Sequence, residues 1–200
     1  MKINIDGVKL PKSKASQQTF DALVNSAEQL FGRNGYSKTT VGDITKAANI
    51  ATGTFYIYFE SKYAIYEYIL EKYRLGLKSA LAKAVKDCTT RAEKERAGLK
   101  TFIMGALENP LCYHLVWESL YVNQDLFKKY YQSFAEDYAR ALKRDREELN
   151  TTEYRTIAFM LMGINNFVGL QSLFENDTES DVERRAAIAI DVLRNGLFNK

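Results

Sequence analysis

Residues 39–62 read TTVGDITKAANIATGTFYIYFESK and contain two short helical patterns joined by a tight turn. Thr40, followed three residues later by Asp43, resembles a capping box and predicts the start of a helix. That helix is predicted to stop at Asn49, a residue that tolerates positive φ better than most. A further short helix is predicted over residues 52–59.

A longer amphipathic helix precedes this segment. From Ser16 onward the apolar residues recur at intervals of three and four, which is the period of a helix with one buried face. Gly35 can take the left-handed conformation that closes such a helix, and Tyr36 follows as its hydrophobic contact. Two short helices packed on a longer first helix form a helix-turn-helix. The recurring apolar residues are Phe20, Leu23, Val24, Ala27, Leu30 and Phe31.

The predicted third helix carries an unusual set of polar groups. Phe55 and Phe59 can pack on the core, which leaves hydroxyl groups and a bare glycine backbone on the other face. Such groups suit phosphates and base edges, because hydroxyl and backbone N–H groups bind anionic oxygen and a glycine lets a duplex approach. The alternative is that the tyrosines pack and the threonines only cap helices. The residues concerned are Thr52, Gly53, Thr54, Tyr56 and Tyr58, with Lys62 just beyond.

This segment resembles the DNA-binding domain of the tetracycline-repressor (TetR) family. The resemblance covers about residues 16–65 and is carried by residues 31–36, 39–44 and 53–62. It implies a dimeric transcriptional regulator, usually a repressor, whose third helix enters the major groove of double-stranded DNA. Two positions depart from the family pattern, since Asn49 stands where glycine is usual and Ala51 where serine is usual.

The resemblance also implies roles for individual side chains. By position, phosphate would be contacted by Thr40 and Lys62, base edges by Thr52, Gly53 and Thr54, and the DNA backbone by Tyr56 and Tyr58. Ala51 cannot cap the third helix, so Thr52 is the candidate for that cap. If Thr52 takes it, its hydroxyl is less available to read a base.

The composition agrees with a helical protein that has a substantial core. The chain has 200 residues, 46% of them hydrophobic, with only 11 glycines and 2 prolines, too few for a turn-dense β-sandwich. One histidine and two cysteines argue against a histidine-rich metal centre and a disulfide framework. We therefore predict no metal, cofactor or catalytic residue. The two thiols suit a reducing cytoplasm.

Positive charge is concentrated in the first third of the chain. The net charge is +3, and residues 1–75 hold ten Lys and Arg against seven Asp and Glu, so the whole excess lies there. Lys2, Lys9, Lys12 and Lys14 face only Asp6 in the first fourteen residues, which predicts a mobile basic arm able to meet phosphates. An ordinary solvated tail is the alternative.

The remaining two-thirds of the chain is also predicted to be helical. A long helix starts at Ser61, another follows the capping pair Thr90 and Glu93, and a break falls near residues 109–110. Aromatic residues then recur at helical spacing. Core packing explains most of them, but Tyr and Trp also suit a small-molecule pocket, because each joins an apolar body to one hydrogen-bonding group. The ligand-binding residues predicted on this basis are Phe102, Tyr113, Trp117, Tyr121, Phe134, Tyr138 and Asn166.

Two helices, at about 152–174 and 181–197, are predicted last. The first contains the longest uncharged run, residues 156–174, which is long enough to cross a membrane. Asn165 and Asn166 at its centre argue against a membrane span, because burying an unpartnered amide in hydrocarbon costs about 2 to 7 kcal/mol. A helix that is apolar on nearly all sides is instead predicted to lie in a four-helix interface between two copies of the chain.

These observations predict an all-α chain with two domains. Residues 1–62 form the arm and the helix-turn-helix domain, and residues 63–200 form a helical domain for effector binding and homodimerisation. The expected function is a cytoplasmic transcriptional regulator, a repressor that a small hydrophobic or aromatic effector releases from a palindromic operator. The alternatives are a small helical enzyme or carrier that uses the aromatic cavity, and a dimeric regulator that has no effector.

Overall fold

The computed structural model describes residues 3–195, and in that range the chain forms nine α-helices and no β-strand. The all-α prediction is therefore confirmed. A 3₁₀ turn, Arg146–Glu148, follows the seventh helix, and the end of the predicted last helix, at Leu197, lies outside the described residues. The helices are α1 (Lys14–Asn34), α2 (Val41–Ala48), α3 (Thr52–Tyr58), α4 (Lys62–Ala84), α5 (Arg91–Glu108), α6 (Pro110–Val122), α7 (Gln124–Arg144), α8 (Tyr154–Glu175) and α9 (Glu179–Asn195).

The ends of α1 are set by local hydrogen bonds. The helix begins at Lys14, two residues before the predicted start, because the hydroxyl of Ser13 accepts the backbone N–H of Ser16 as an N-cap. It ends at Gly35, where φ is +84° and ψ is 158°. The glycine thus has the predicted positive φ but an extended ψ, a combination that residues with a Cβ rarely adopt.

The capping box of α2 is confirmed. The backbone N–H of Asp43 donates to the hydroxyl of Thr40 at 3.1 Å, and the N–H of Thr40 donates to the Asp43 carboxylate at 2.9 Å. Hydrogen bonds from the Thr40 side chain and backbone hold the pKa of Asp43 below its ordinary value. Asn49 ends the helix in the left-handed conformation, with φ of 55° and ψ of 44°, also as predicted.

The helices group into two compact units. Unit 1 comprises the described residues up to Leu75 together with Leu111–Lys128. Unit 2 comprises Gly76–Pro110 together with the described residues from Lys129 onward. The boundary therefore falls inside α4, and nearly all of α6 is part of unit 1. The functional division at residue 62 stays a prediction.

Contacts inside unit 1 explain why α6 belongs there. The fully buried Tyr66 of α4 donates its hydroxyl hydrogen to the backbone carbonyl of Leu115 in α6 at 2.8 Å. A Cβ added at Gly32 of α1 would lie only 2.7 Å from Leu111 Cδ2, so α1 and α6 approach each other closely at a glycine. The fully buried aromatic core of this unit comprises Phe20, Phe31, Phe55, Phe59 and Tyr66.

Unit 2 is built around α8. The helix packs against α5, which in turn packs against α9. One apolar cluster joins α7 to α8, and a second joins α5 to α9. The buried members of the first are Ala135, Leu142, Ala158, Leu161 and Met162, and those of the second are Leu99, Ile103, Val182 and Ala186.

Among the described residues, α8 is the one helix that is long and apolar enough to cross a membrane. The core helix of a soluble protein passes the same test of length and composition, so the observation alone is weak evidence for a membrane span. Only 28% of its most apolar stretch is buried within the chain. Part of the apolar surface predicted to form an interface, including Phe159, Met160, Phe167 and Phe174, is thus exposed in the single chain.

Candidate nucleic-acid interface

The short helix α3 presents one side to solvent and anchors the other in the core of unit 1. Phe55 is fully buried, and the ring of Tyr58 meets the ring of Phe20 edge-on at 5.7 Å between centroids. With 3.6 residues per turn, positions 52, 53, 56 and 57 share the opposite side, and all four are exposed. Tyr56 is 52% exposed. The Tyr58 ring therefore packs on the core, which is the alternative considered for the tyrosines, whereas Tyr56 projects into solvent.

The start of α3 differs from the expected cap. Its N-cap is Ala51, which makes no side-chain hydrogen bond, and Thr52 is the first residue of the helix. The hydroxyl of Thr52 instead lies 3.2 Å from the hydroxyl of Thr45 in α2. Thr52 therefore links the two short helices rather than capping α3. Thr54 is half-buried, and its N–H donates to the carbonyl of Ala51 at 2.9 Å.

Gly53 gives the exposed side of α3 its shape. A Cβ added at this position would meet nothing within 4 Å, and its φ is not positive. The backbone therefore does not require glycine here, and no neighbouring group excludes a larger residue. The absence of a side chain leaves helix backbone bare toward solvent.

Lys62 was predicted to contact a phosphate, but in the folded chain its ammonium group binds groups of the protein itself. Its ammonium group donates to the backbone carbonyls of Tyr36 and Thr39, at 2.8 and 2.9 Å. It also lies 4.1 Å from the centroid of the Tyr36 ring, which is cation–π geometry. The side chain fixes the segment between α1 and α2, so its principal contacts are within the protein.

Thr40 also has partners within the chain. Its hydroxyl donates to the Asp43 carboxylate at 2.6 Å and accepts the Asp43 N–H as part of the capping box. Thr40 is the N-cap of α2, and the residue is nevertheless exposed to solvent. A phosphate contact by Thr40 stays a prediction.

The segment preceding α1 is tethered beside α3, which corrects the prediction of a mobile arm. Val8 forms an antiparallel β-bridge with Phe59. The N–H of Lys9 donates to the carbonyl of Tyr58 at 2.8 Å, and the N–H of Glu60 donates to the carbonyl of Gly7 at 2.9 Å. Backbone pairing of this kind needs no apolar periodicity, so the sequence did not signal it.

The lysines of this segment lie on its exposed surface. Lys9, Lys12 and Lys14 are all exposed, and none of them has an ion-pair partner among residues 3–195. Lys2 lies outside the described residues. Three cationic side chains are therefore carried by a backbone that is hydrogen-bonded to the end of α3.

Known proteins resemble the segment of this chain that contains α2 and α3. The sequence profile described as bacterial regulatory proteins, tetR family, matches residues 23–69. The HTH-type transcriptional repressor DhaR of Mycobacterium sp. (strain GP1) is 30% identical over 90 residues, which cover 45% of this chain and 46% of that protein. Residues 23–69 therefore form a DNA-binding segment of the TetR-family type.

Two further relatives define how far the similarity extends. The biofilm operon icaADBC HTH-type negative transcriptional regulator IcaR of Staphylococcus aureus (strain Newman) is 43% identical over 47 residues, or 24% of this chain and 25% of IcaR. The solved structure of the fatty acid degradation regulator FadR from Bacillus halodurans has a TM-score of 0.77 at 17% identity, covering 96% of this chain and 100% of that one. The curated relatives are thus matched over less than half their length, while the fold is shared over nearly the whole chain.

The predicted effector residues fall in both units. In unit 1, the Tyr113 and Trp117 rings lie 6.3 Å apart between centroids, while Tyr121 is 88% exposed. Tyr121 is therefore the member of the set least suited to an enclosed pocket. The assignment of Tyr113 and Trp117 to a ligand site stays a prediction.

Four of the predicted effector residues lie in unit 2, in the neighbourhood of α8. Asn166 of α8 accepts a hydrogen bond from the Tyr131 hydroxyl at 3.3 Å and donates to the Met162 carbonyl at 2.7 Å. Phe102 lies against Gly169 of the same helix. Phe134 and Tyr138 of α7 pack against the apolar cluster that joins α7 to α8.

A polar network that the sequence did not predict is buried in the same unit. Glu95 of α5 accepts a hydrogen bond from the Tyr138 hydroxyl and pairs with Arg91 at 2.6 Å. Arg91 in turn pairs with Asp145 at 3.0 Å. Burial raises the pKa of Glu95 and of Tyr138. Glu95 and Tyr138 are 43 residues apart, so no local pattern could have indicated their contact.

Two residues of unit 1 were also missed. Glu118 of α6 accepts the backbone N–H of Tyr36 at 2.7 Å, which connects α6 to the end of α1. Ile57, on the exposed side of α3, was not assigned a role, although its spacing of four from Gly53 places it on the same side.

No group of three or more metal-ligating side chains occurs in the part of the chain that the structure describes. Cys88 and Cys112 are both free thiols. Burial raises the pKa of Cys112 to about 12, so this thiol stays protonated at neutral pH and is a poor nucleophile.

Proposed function

We propose that this protein is a transcriptional regulator that binds double-stranded DNA as a homodimer and acts as a repressor. The observation that carries the proposal is the exposed side of α3, where a bare backbone at Gly53 and the phenol of Tyr56 face solvent on a helix anchored by Phe55. A helix of this kind can lie in the major groove, whose width of about 12 Å admits an α-helix. Thr52, Gly53 and Tyr56 would then lie closest to the duplex.

The tethered basic segment supplies the electrostatic part of the proposal. Because its backbone is bonded to Tyr58 and Glu60, the cations of Lys9, Lys12 and Lys14 move with the recognition helix. If each half-site neutralises about four phosphates, log K falls with log salt at a slope near −0.9 for each contact. A salt response without slope would count against this arrangement.

The proposed dimer forms through α8 and α9. Both helices expose large apolar side chains, of which Phe174 is 75% exposed. Two copies of the helix pair would cover this surface in a four-helix interface. The operator would be near-palindromic, with half-sites about 34–36 Å apart or a multiple of that distance. The exposed apolar residues are Phe159, Met160, Phe167, Phe174, Ile188 and Leu193.

We further propose that a small hydrophobic or aromatic effector binds in the cytoplasm and releases the repressor. Phe102, Phe134 and Tyr138 provide apolar surface around α8, and Asn166 provides an amide that could orient a ligand. The effector can lower DNA affinity only through its different affinities for two conformers of the protein, typically worth about 1 to 3 kcal/mol.

Selection of bound duplexes from a random DNA pool tests the proposal, because it reports binding, symmetry and half-site spacing together. The protein is expected to enrich a near-palindromic sequence. The same selection with Tyr56→Glu, which places a carboxylate at the proposed interface, is expected to enrich nothing. Tyr121→Glu adds the same charge to an exposed position on α6 and serves as the matched control. If the folded wild-type protein enriches no sequence, the proposed function is wrong.

A further inference from the structure

Ile57 is the largest apolar side chain on the exposed side of α3, and the proposed function gives it no role. It is 59% exposed, although α3 has only seven residues and buries Phe55 completely. Thr52, Gly53 and Tyr56 share its side of the helix. A branched aliphatic group therefore lies among hydroxyls on the surface proposed to face DNA.

The glycine one turn earlier determines what Ile57 can contact. Side chains of an α-helix lean toward the helix N-terminus and cover the turn that precedes them. For Ile57 that turn contains Gly53, where an added Cβ would meet nothing within 4 Å. The surface between Ile57 and Gly53 is thus open, and the Ile57 side chain is 59% exposed beside it.

We propose that Ile57 contacts the C5-methyl group of one thymine in each half-site and so selects thymine at that position. Among the groups that base pairs display in the major groove, the thymine methyl is the apolar one, and apolar side chains pair with it. Phosphates are anionic and offer an aliphatic side chain no apolar partner, and the sugars are the same at every base and select none. The inference rests on the proposed function, because it requires α3 to enter the major groove.

If Ile57 makes this contact, bases that differ only in the C5-methyl group should be bound with different affinities. Uracil has the hydrogen-bonding groups of thymine without the methyl, and 5-methylcytosine adds a methyl to cytosine. Uracil at the contacted position is expected to weaken binding about fourfold per half-site, the value of burying one methyl group. At the same position, 5-methylcytosine is expected to bind more tightly than cytosine.

The experiment uses the full chain and the duplex recovered by selection from the random pool. Each thymine is replaced in turn by uracil, and the Kd is measured for wild type and for Ile57→Ala. Wild type is expected to lose about fourfold at one thymine per half-site, and Ile57→Ala is expected to show no loss there. Ile57→Val is expected to keep most of the preference. Tyr56→Phe, which changes a neighbouring side chain without removing apolar surface, is expected to keep it fully.

Because Ile57 is exposed, its substitution should leave the thermal unfolding midpoint unchanged, which separates lost readout from lost folding. A uracil penalty that is the same in wild type and Ile57→Ala overturns the inference, as does the absence of a penalty at every thymine. In both cases the protein still binds a selected duplex, so the proposed function stands. Failure to recover any duplex overturns both.

Discussion

Replacing Gly53 with alanine is expected to change stability and DNA affinity in opposite directions. Glycine inside a helix costs up to about 1 kcal/mol relative to alanine. The added Cβ at Gly53 meets nothing within 4 Å, so no clash offsets the gain. For a chain of this size, the thermal unfolding midpoint should rise by up to about 4 °C.

The same methyl group should weaken DNA binding. If the backbone at Gly53 lies against the duplex, the methyl occupies space that the duplex needs, and overpacking of this kind costs about 1 to 3 kcal/mol. That cost corresponds to a loss of roughly 5- to 150-fold in affinity. Fluorescence anisotropy with the selected duplex measures the loss, and differential scanning fluorimetry measures the midpoint.

Gly105→Ala is the matched control, because Gly105 is also an exposed helical glycine whose added Cβ would meet nothing within 4 Å. It lies in α5, within unit 2, so it should raise stability by a similar amount and leave DNA affinity unchanged. Unchanged DNA affinity in Gly53→Ala would refute the proposed close approach. A lower unfolding midpoint in Gly53→Ala than in wild type would contradict the finding that a Cβ at this position meets no neighbouring atom.

Three further substitutions test contacts inside the protein, and Tyr56→Phe is the control for the first of them. Tyr66→Phe should lower the free energy of unfolding by about 1 kcal/mol in urea titrations followed by tryptophan fluorescence, because the hydrogen bond to Leu115 is lost while the packing is kept. Tyr56→Phe, at an exposed position, should change it by less than about 0.5 kcal/mol. Lys62→Met removes hydrogen bonds to two backbone carbonyls. It should lower the free energy of unfolding by about 1 to 2 kcal/mol and weaken binding to every DNA sequence. Weaker DNA binding with an unchanged free energy of unfolding would instead favour a phosphate contact. Hydrogen bonds from the backbone N–H groups of Thr90 and Thr89 lower the pKa of Glu93 from its ordinary value of 4.5 to about 2. The stability that the Glu93 carboxylate adds is therefore fully present above pH 4.5 and is lost as the pH falls toward 2. The difference in unfolding midpoint between wild type and Glu93→Gln should therefore shrink over that range, and a difference independent of pH would contradict the assignment.

The features that the sequence predicted are those determined by neighbouring residues. The capping pair of Thr40 and Asp43 and the left-handed Asn49 each involve groups within a few positions of one another. Their hydrogen bonds form in a single turn of chain, so the residue types and spacing are sufficient to identify them. The same reasoning located α3 and its polar face.

The features that were missed depend on residues far apart in the chain. Lys62 can reach a phosphate or two carbonyls of the preceding segment, and only the folded core determines which is closer. The tethering of Lys9 to Tyr58 uses backbone groups, which every residue possesses. The grouping of α6 with unit 1 depends on Tyr66 and Leu115, which are 49 residues apart. Periodicity carries no information about such contacts.

The central claim is that the exposed side of α3 and the adjoining basic segment lie against DNA. Mapping the backbone amide chemical shifts of the 200-residue chain, with and without the selected duplex, tests it most directly. The largest changes are predicted at residues 52–57 and at Lys9, with small changes along α9. Unchanged amides over residues 52–57 in a saturated complex would contradict the claim.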